Sequence, residues 1–502
     1  MENRHGLSRF DAAIPATPPT RHLSSNLSTP GSTYGKEEDA IIFELTPRYI
    51  QAGIEGESHP QCRISFTPNG SRRHGDYRAW PPGNSHVSED PDSSWGDGYE
   101  LWRNDLKDFD LGLLNDKLER VVRDIYNTHL LVDAGNARLV LVIPSLLPHP
   151  VLSTVLQTLF ERWSFASVTL LPAPAMALVS AGLRSGLVID IGWEETVVTA
   201  VYEFREVRSL RTTRAMKLLT SDVARWARHN FDSDHQIDLE LIEELVRRIS
   251  AYTARQELTG DWIRESSEKR HILLEWPTTK FTKSVSIDVA DVLPVIWSSL
   301  LDSKGEDGHD DEELPLHKLI YNCLVALPPD VRGICMSRLV FVGYGFDIAV
   351  APPSIMQSLN ELVDARGWTE VSGQKVKKGR NEFTVSAQGT VQPVDARHDD
   401  NLLAEGSLVE ERYLRDKAKH TQPILHGVVR QVDSLGPWVG ASLLTSLKVK
   451  SFVEIQRERF LTQGLSGASR NTEVSVVQPR TNTLGLRSKP AERTSWTLSG
   501  WA

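Results

Sequence analysis

The apolar residues of this chain recur in two periods, one typical of buried strands and one typical of helices. Unbroken apolar runs rich in β-branched residues occur in "AIIFEL", "ARLVLVIP" and "SVTLLPAP", and each predicts a buried strand. Between the first two runs, "DFDLGLLNDKLERVVRDIYNTHL" carries apolar residues at helical spacing. That stripe predicts an amphipathic helix and consists of Leu114, Leu118, Val121, Val122 and Ile125.

Further helices and a hairpin continue the same rhythm. "HPVLSTVLQTLFERW" predicts a helix with Pro150 in its first turn, and "AMALVSAG" predicts a short helix that ends at Gly182. Residues 187–203, "LVIDIGWEETVVTAVYE", predict a hairpin whose first strand is central and fully buried. "AMKLLTSDVARWARHN" and "DLELIEELVRRISAYTARQEL" predict two longer helices. Strands that alternate with helices in this way indicate an α/β fold.

Three segments lack any periodicity. Residues 1–38 are rich in Ser, Thr, Pro and Gly, and we expect a disordered tail there. Residues 58–98 are polar and rich in turn residues, so we expect an irregular insertion, either a partner-docking segment or a disordered loop, that exposes Trp80 and Trp95. Residues 371–422 predict a second polar insertion.

Composition excludes several classes of protein. With 502 residues, 40% of them hydrophobic, the chain can form two or three domains. A net charge of −10 without a long Lys/Arg run argues against a nucleic-acid partner. Three widely spaced cysteines predict reduced thiols, and the acidic stretch at 306–313 is more simply a solvated loop than a metal site. The N-terminus lacks the apolar segment of a secretory signal and the apolar runs are too short to span a bilayer, so we expect a cytoplasmic protein without membrane insertion.

The hairpin at 187–203 is the one segment that suggests ligand chemistry. Its first strand ends in Asp190, and its turn begins at Gly192. Such a turn can present a carboxylate to a metal ion and backbone N–H groups to a phosphate. Here, however, the rest of the turn holds a large ring and two negative charges, in Trp193, Glu194 and Glu195. No P-loop is present, and "GYGFDI" at 343–348 is only a fragment of a dinucleotide fingerprint.

Four segments in a fixed order carry a resemblance to a known family. They are "IIFELTPRYIQAGIEGE", "LVIDIGWEETVVTAVYE", "LVFVGYG" and "PWVGASLL", and the stretches before the second and third fit as well, in "LVIPSLLPHPVLSTVLQTLFERW" and "LPLHKLIYNCLVALPPDVRGICMSRLVFVG". In this order they resemble the actin family, with insertions, from about residue 39 to about residue 465. The resemblance implies an actin-like (ribonuclease H-like) α/β fold, in which two similar half-domains surround a nucleotide cleft.

The resemblance also divides the chain. It implies a first half-domain over residues 39–186, interrupted by the insertion at 58–98, and a second half-domain over residues 187–370. After the second polar insertion, residues 423–470 return to the first half-domain, and residues 471–502 form a C-terminal tail.

The chain departs from the family in the two hairpins that would grip phosphate. In the first hairpin Glu44 replaces an Asp, and Thr46 and Pro47 replace a Gly-Ser pair. Proline has no N–H to donate, and the loss of glycine restricts the approach of the backbone to a phosphate. In the second hairpin Trp193 replaces an Asp and Glu194 replaces a Gly.

The residues that would handle water are lost too. The family's water-orienting Gln falls on Ala173, and its second water-contacting residue, a His, falls on Val197. Neither side chain can position or deprotonate water. The resemblance, with these losses, implies a protein that is not an enzyme.

A degenerate nucleotide site remains as a hypothesis. Its candidate residues are Glu44, Asp190, Gly192, Arg247 and Gly343, with Arg247 or its neighbour Arg248 placed near an adenine by analogy. We predict no catalytic residue and no metal ligand; no cofactor is required, and ATP or ADP would be at most a structural ligand. Trp193 either fills space that a phosphate or metal has vacated or lies on the surface against the first hairpin.

Within the family, the chain resembles most the fungal actin-related group at the pointed end of dynactin. That resemblance implies a cytoskeletal subunit that caps a short actin-related filament and supports dynein-driven transport on microtubules. Its partners would be the filament subunits and the pointed-end subunits of dynactin. Two alternatives remain open: a nuclear actin-related subunit of a chromatin-remodelling complex, and an ATP-hydrolysing member of the actin, sugar-kinase and chaperone superfamily.

Overall fold

The computed structural model describes residues 39–75, 95–131, 137–231, 237–259, 271–277, 282–301, 311–348, 352–367, 429–448 and 454–468. The expectations for the two tails, for the insertion at 371–422 and for Trp80 lie outside these residues. No helix among the described residues is long and apolar enough to cross a bilayer.

The strands follow the apolar runs closely. In chain order they are β1 (Ile41–Leu45), β2 (Tyr49–Ile54), β3 (Cys62–Ser65), β4 (Arg138–Ile143), β5 (Ser167–Pro172), β6 (Gly186–Ile191), β7 (Thr196–Tyr202), β8 (Arg205–Thr212), β9 (His271–Pro277), β10 (Thr282–Asp288), β11 (Leu339–Val342) and β12 (Glu454–Gln456).

The helices include every one that the spacing of apolar residues predicted. In chain order they are α1 (Leu111–Asp124), α2 (His149–Arg162), α3 (Ala173–Ser180), α4 (Met216–Asn230), α5 (Leu239–Thr259), α6 (Val289–Leu301), α7 (Leu316–Val325), α8 (Pro329–Met336), α9 (Tyr344–Ile348), α10 (Pro352–Arg366), α11 (Pro437–Ser446) and α12 (Arg457–Gln463). A π-helical turn, Ile125–Leu130, extends α1. Pro150 lies in the first turn of α2, and Gly182 takes a positive φ just after α3, as the sequence predicted.

The first sheet has the strand order β12-β5-β4-β1-β2-β3. Its centre is parallel: β4 pairs with both β1 and β5 in parallel, whereas β2, β3 and β12 are antiparallel to their neighbours. α1 and α2 bury their apolar stripes against one face of this sheet and form the first core. The last short strand, β12, brings the end of the described chain back to the edge beside β5.

The second sheet has the order β11-β6-β7-β8. β6 lies inside it, parallel to β11 and antiparallel to β7. The run Leu187–Ile189 is fully buried, which confirms the prediction of a central strand. Helices α4, α5, α6 and α7 contribute apolar residues to the second core on this sheet. A separate pair of strands, β9 and β10, packs beside α5 and α6.

Two short helices, α3 and α11, pack on each other between the sheets. Met176 and Trp438 share a small core with β1 and β4 of the first sheet, while Ala177 and Leu178 pack on β6 and β11 of the second. The approach is close because α11 has a glycine at the crossing: a Cβ built on Gly440 would lie 1.9 Å from the Met176 carbonyl oxygen. We call this crossing the base contact.

The expectation of a wholly irregular insertion at 58–98 is wrong. Cys62–Ser65 form β3, which pairs with β2. Trp95 is 8% exposed, belongs to the second core, and donates a hydrogen bond from Nε1 to Thr220 Oγ1 at 3.0 Å. Its predicted exposure was an error, because the polar residues before it are not evidence about where the ring itself packs.

All three cysteines are buried free thiols. Cys62 belongs to the first core, and Cys323 and Cys335 belong to the second. Burial raises the pKa of Cys62 to about 11 and the pKa values of Cys323 and Cys335 to about 12. They are therefore protonated near neutral pH, as expected of inert structural cysteines.

Candidate functional site

The two predicted hairpins, β1–β2 and β6–β7, face each other across a cleft between the sheets. Four of the five candidate residues line one cavity there, namely Glu44, Asp190, Gly192 and Gly343. Its volume is about 70 Å³. Cofactor pockets are usually on the order of 300–1,000 Å³, so this space is much too small for a nucleotide.

Backbone packing explains why the glycines of the cleft are kept. Gly343 has a φ of +96°, and a Cβ on it would lie 2.2 Å from Asp190 Oδ1 and 2.7 Å from the Ile191 carbonyl oxygen. A Cβ on Gly192 would lie 2.6 Å from the Glu195 carbonyl oxygen, to which the Gly192 N–H donates the hydrogen bond that closes the turn. Both glycines are thus accounted for by the fold alone.

Glu44, near the end of β1, also has a structural role. Its side chain is buried, and Oε2 accepts a hydrogen bond at 2.9 Å from the backbone N–H of Trp438 in the first turn of α11. A carboxylate at a helix N-terminus satisfies an N–H group that has no partner within the helix. This position therefore fastens β1 to α11.

Arg48, which sequence reasoning did not select, occupies the middle of the cleft. Its guanidinium is buried and forms an ion pair with Glu243 of α5, in which Nη2 alone lies 2.9 and 3.0 Å from the two carboxylate oxygens. Nη1 donates to the carbonyl oxygens of Phe66 and Tyr99 at 2.9 and 2.7 Å. One side chain of the first hairpin thereby reaches a helix of the second core.

Three aromatic rings surround the same guanidinium. Its central carbon lies 5.3 Å from the ring centre of Tyr99 and 5.2 Å from those of Trp193 and Tyr344. Such cation–π contacts are stronger where water is excluded. The hydroxyl of Tyr344 also accepts a hydrogen bond from Arg48 Nη2 at 3.3 Å.

Trp193, the large ring in the second turn, is 1% exposed. The alternative of a surface tryptophan is therefore wrong. Its Nε1 donates to Glu100 Oε2 at 2.9 Å, and its ring lies so close to Gly96 that a Cβ there would be 2.5 Å from Cζ2. The ring fills the space between the second hairpin and the segment that follows Trp95.

A half-buried charge network continues from this tryptophan. Lys217 Nζ lies 3.2 Å from Glu100 Oε2 and 3.0 Å from Glu194 Oε1. Burial raises the pKa of Glu100, with Lys217 opposing the shift. Burial by itself lowers the pKa of Lys217, but the two carboxylates outweigh it and raise that pKa overall. Glu194 is thus held by a lysine of the chain itself.

The second turn carries a further destabilised carboxylate. Burial raises the pKa of Glu195 to about 7, and the nearby charges of Glu194 and Asp190 act in the same direction against Arg211. The two turn carboxylates, paired with Lys217 and Arg211, and Asp190 put acidic groups where a phosphate would bind, which disfavours a phosphate. No group of His, Cys, Asp and Glu among the described residues has the geometry of a metal site.

Arg247, the fifth candidate residue, lies apart from the other four. Its side chain is 51% exposed and pairs with Glu244 of the same helix at 2.7 Å. It lines a second, more open space of about 440 Å³ that the hairpin glycines do not reach. Arg48 and Tyr344 line both spaces and stand between them.

The arrangement lacks the groups that hydrolysis would need. Ala173 and Val197 line the small cavity, where neither can accept a proton or orient water. Pro47 offers no N–H to a phosphate. The residues that fill the cleft instead are Arg48, Tyr99, Glu100, Glu243 and Tyr344. The one sequence signal for them was a long basic side chain next to Pro47, in a turn that small residues usually form.

Comparison with known proteins agrees with the topology. Residues 35–267, just under half of the chain, match the family model described as Actin. The chain is 22% identical over 242 residues to actin-related protein 2 of Arabidopsis thaliana, which covers 45% of this chain and 57% of that protein. It is 26% identical over 133 residues to actin-related protein 2 of Caenorhabditis briggsae, which covers 25% of this chain and 33% of that protein.

Residues 35–267 therefore match an actin-family domain, and the α/β fold is actin-like, as the sequence predicted. The similarity to the two actin-related proteins is distant and partial: the chain spans little more than half the length of one and a third of the other.

Proposed function

We propose that this protein is a non-catalytic, actin-related structural subunit that caps the pointed end of the dynactin filament and so supports dynein-driven transport on microtubules. The observation that carries the non-catalytic part is the filling of the cleft by Arg48 and Trp193. On this proposal the protein acts in the cytoplasm as part of the cytoskeleton, through the faces that it offers to neighbouring subunits.

The cap is favoured by a difference between two sides of the molecule. On the side of α11 the family-like segments are kept, and Leu443 and Leu447 of the α11 region are exposed on its surface, as apolar residues at a subunit contact would be. The loop after the first hairpin is rebuilt instead: β3 is followed by a polar stretch, of which residues 76–94 lie outside the described part of the chain. A subunit with one family-like face and one altered face would attach to a filament end and stop its growth.

Identifying the partners of the native protein tests this role directly. Tagged full-length protein, isolated from its own cells, should bring down the filament subunits and the pointed-end subunits of dynactin in fixed proportion. Mass spectrometry would measure that proportion. Recovery of a chromatin-remodelling complex instead would overturn the proposal in favour of the nuclear alternative.

Phosphate release from ATP tests the missing chemistry. Because Ala173 and Val197 stand at the water-handling positions, the purified protein should release no phosphate above background. Sustained release that is abolished by Asp190→Ala would overturn the non-catalytic reading and favour the ATP-hydrolysing alternative.

Self-association and a loop deletion test the two faces. The pure protein should stay monomeric, by sedimentation, at concentrations at which actin polymerises. Replacing residues 76–94 with a short Gly/Ser linker leaves Trp95 and β3 in place and should weaken binding of pointed-end partners without loss of filament attachment. Polymerisation of the pure protein, or loss of filament attachment alone, would show that the faces are assigned wrongly.

A further inference from the structure

We propose that the Arg48 side chain holds the two sides of the cleft together. The cleft is then closed by the protein itself and requires no bound nucleotide or metal ion. The inference concerns the cleft alone and holds whichever partners the protein has.

The contacts of Arg48 cross the cleft. The residue belongs to the first hairpin, between β1 and β2, and its Nη1 donates to the Phe66 carbonyl oxygen on its own side. Nη2 and the face of the guanidinium meet three elements on the other side: Glu243 of α5, Trp193 of the β6–β7 turn, and Tyr344 after β11. One side chain therefore contacts three separate elements on the second side of the cleft.

A second connection runs beside Arg48 and is hydrogen-bonded to it. We call residues 95–104 the cleft strip. The strip is fixed to the first side by Leu101, whose N–H donates to the Pro47 carbonyl oxygen at 2.7 Å, and to the second side by Trp95 on α4 and by the Tyr99 hydroxyl on Asp238. The Tyr99 carbonyl accepts from Arg48, so the guanidinium joins the strip to the hairpin.

Lys117 of α1 also binds the backbone of the cleft strip. Its Nζ donates to the backbone carbonyl oxygens of Gly98 and Glu100 at 3.1 and 2.5 Å. Burial lowers the pKa of this lysine to about 8, so it stays largely charged near neutral pH. The strip is thus tied at several points, and Arg48 adds a direct contact between the two sides through one side chain.

The choice of arginine fits the task. A guanidinium offers planar, fixed donors that match a carboxylate on one edge and carbonyl oxygens on another, and its flat face stacks on rings. A lysine could form a point contact only. Because Arg48 and Glu243 are both buried, removing either leaves the other as an uncompensated buried charge, which is strongly destabilising.

Hydrogen exchange of the full-length protein, read by mass spectrometry, tests this closure. Peptides that cover residues 45–49 and 190–196 report on the cleft, and peptides from α2 report on a helix outside the described contacts of Arg48. In the unmodified protein, excess Mg²⁺·ATP or a chelator should leave exchange at both hairpins unchanged. Arg48→Met and Glu243→Gln should each speed exchange at both hairpins by about tenfold or more while α2 stays protected.

Arg247→Ala is the matched control, because that residue lies one turn along α5 from Glu243 but is exposed and pairs only locally among its described contacts. Its exchange should equal that of the unmodified protein. Faster exchange in α2 of Arg48→Met would mean that this variant disturbs the whole fold. In that case the closure is tested with Arg48→Lys and Glu243→Gln, because each of these keeps a polar group of similar size.

Two results would overturn the proposal. One is normal exchange at the hairpins in Arg48→Met and Glu243→Gln, which would mean that closure does not depend on the ion pair. The other is a change in hairpin exchange of the unmodified protein on addition of Mg²⁺·ATP, which would mean that a nucleotide enters and closes the cleft.

Discussion

The base contact and the cleft join the same two sheets by opposite means. At the base, α3 and α11 meet through small residues, and the Gly440 backbone lies against a carbonyl of Met176 with no room for a methyl group. In the cleft, the sheets are held apart and joined by long side chains, of which Arg48 and Trp193 are the largest. At the base contact the sheets are joined by close packing of two helix backbones. In the cleft they are joined by long and charged side chains.

The difference shows which part of an actin-like fold tolerates replacement. The base contact has no room for a larger residue at Gly440, because an added atom would push the two helices apart, and both sheets with them. The cleft has an inner space that can be filled in more than one way, and here the chain fills it with its own charged and aromatic groups. A fold can therefore keep its base while its site loses the chemistry that the family uses.

The largest expected effect falls on β6, which packs on α3 at the base and carries Asp190 into the cleft one residue before its end. Ile189→Asp places an unpaired charge in a strand that is buried on both faces, and should lower the free energy of unfolding by about 4–5 kcal/mol or more. Urea denaturation measures this. A midpoint close to that of the unmodified protein would show that the sheet is not the common support of the two contacts.

Trp193→Ala should follow, with a loss of about 3–5 kcal/mol, since it removes a buried ring, leaves a cavity and leaves Glu100 without the indole donor. Trp297→Ala is the matched control: that ring is 43% exposed, so its loss should cost far less. Equal losses for the two tryptophans would contradict the view that the second turn is a packed part of the interior.

Gly440→Ala tests how tightly the two helices pack at the base contact. Alanine suits a helix better than glycine, but its methyl group would overlap a backbone oxygen that cannot rotate away, so we expect a net loss of about 1–3 kcal/mol. Gly70→Ala adds the same atom in open space and should change little. A Gly440→Ala protein as stable as its parent would mean that the base can relax.

Glu195→Gln comes last, because its effect has the opposite sign and depends on pH. The folded pKa of about 7 lies above the ordinary value, so the folded protein retains a proton that the unfolded chain releases at lower pH. The ionised carboxylate therefore weakens the fold at pH 8, and this penalty fades as the pH falls below 7. The variant should be more stable by about 1–3 kcal/mol at pH 8, with the gain lost near pH 4.5.

Thermal melting across that pH range measures the effect. Glu161→Gln, on the exposed face of α2, should show no such dependence. A Glu195→Gln protein that is less stable at pH 8 would instead indicate that the pairing with Arg211 outweighs burial.

Sequence patterns predicted the scaffold well because periodicity reports on local burial. The stripe on α1, the central strand Leu187–Ile189 and the proline at the start of α2 all follow from spacing within a few turns of chain. The order of such elements was enough to indicate the actin-like fold. Local patterns also identified the hairpin turns where the chain departs from the family.

The filling of the cleft could not be predicted in the same way. Arg48, Tyr99, Glu243 and Tyr344 come from four distant parts of the chain, and no local period relates them. Trp95 shows the same limit: the polar residues around it indicated a surface loop, while its ring packs in the second core. Burial of a side chain by elements far along the sequence is set by the tertiary fold, which single-sequence patterns do not encode.

The buried thiols give the molecule a set of internal reporters. A thiol reagent attacks the thiolate, so Cys62, Cys323 and Cys335 should react only when the core around each of them opens. Cys62 would record opening of the first core, and the other two would record opening of the second. Labelling rates in the unmodified chain would thus show, without any introduced probe, whether the two cores open together as one cooperative unit or separately.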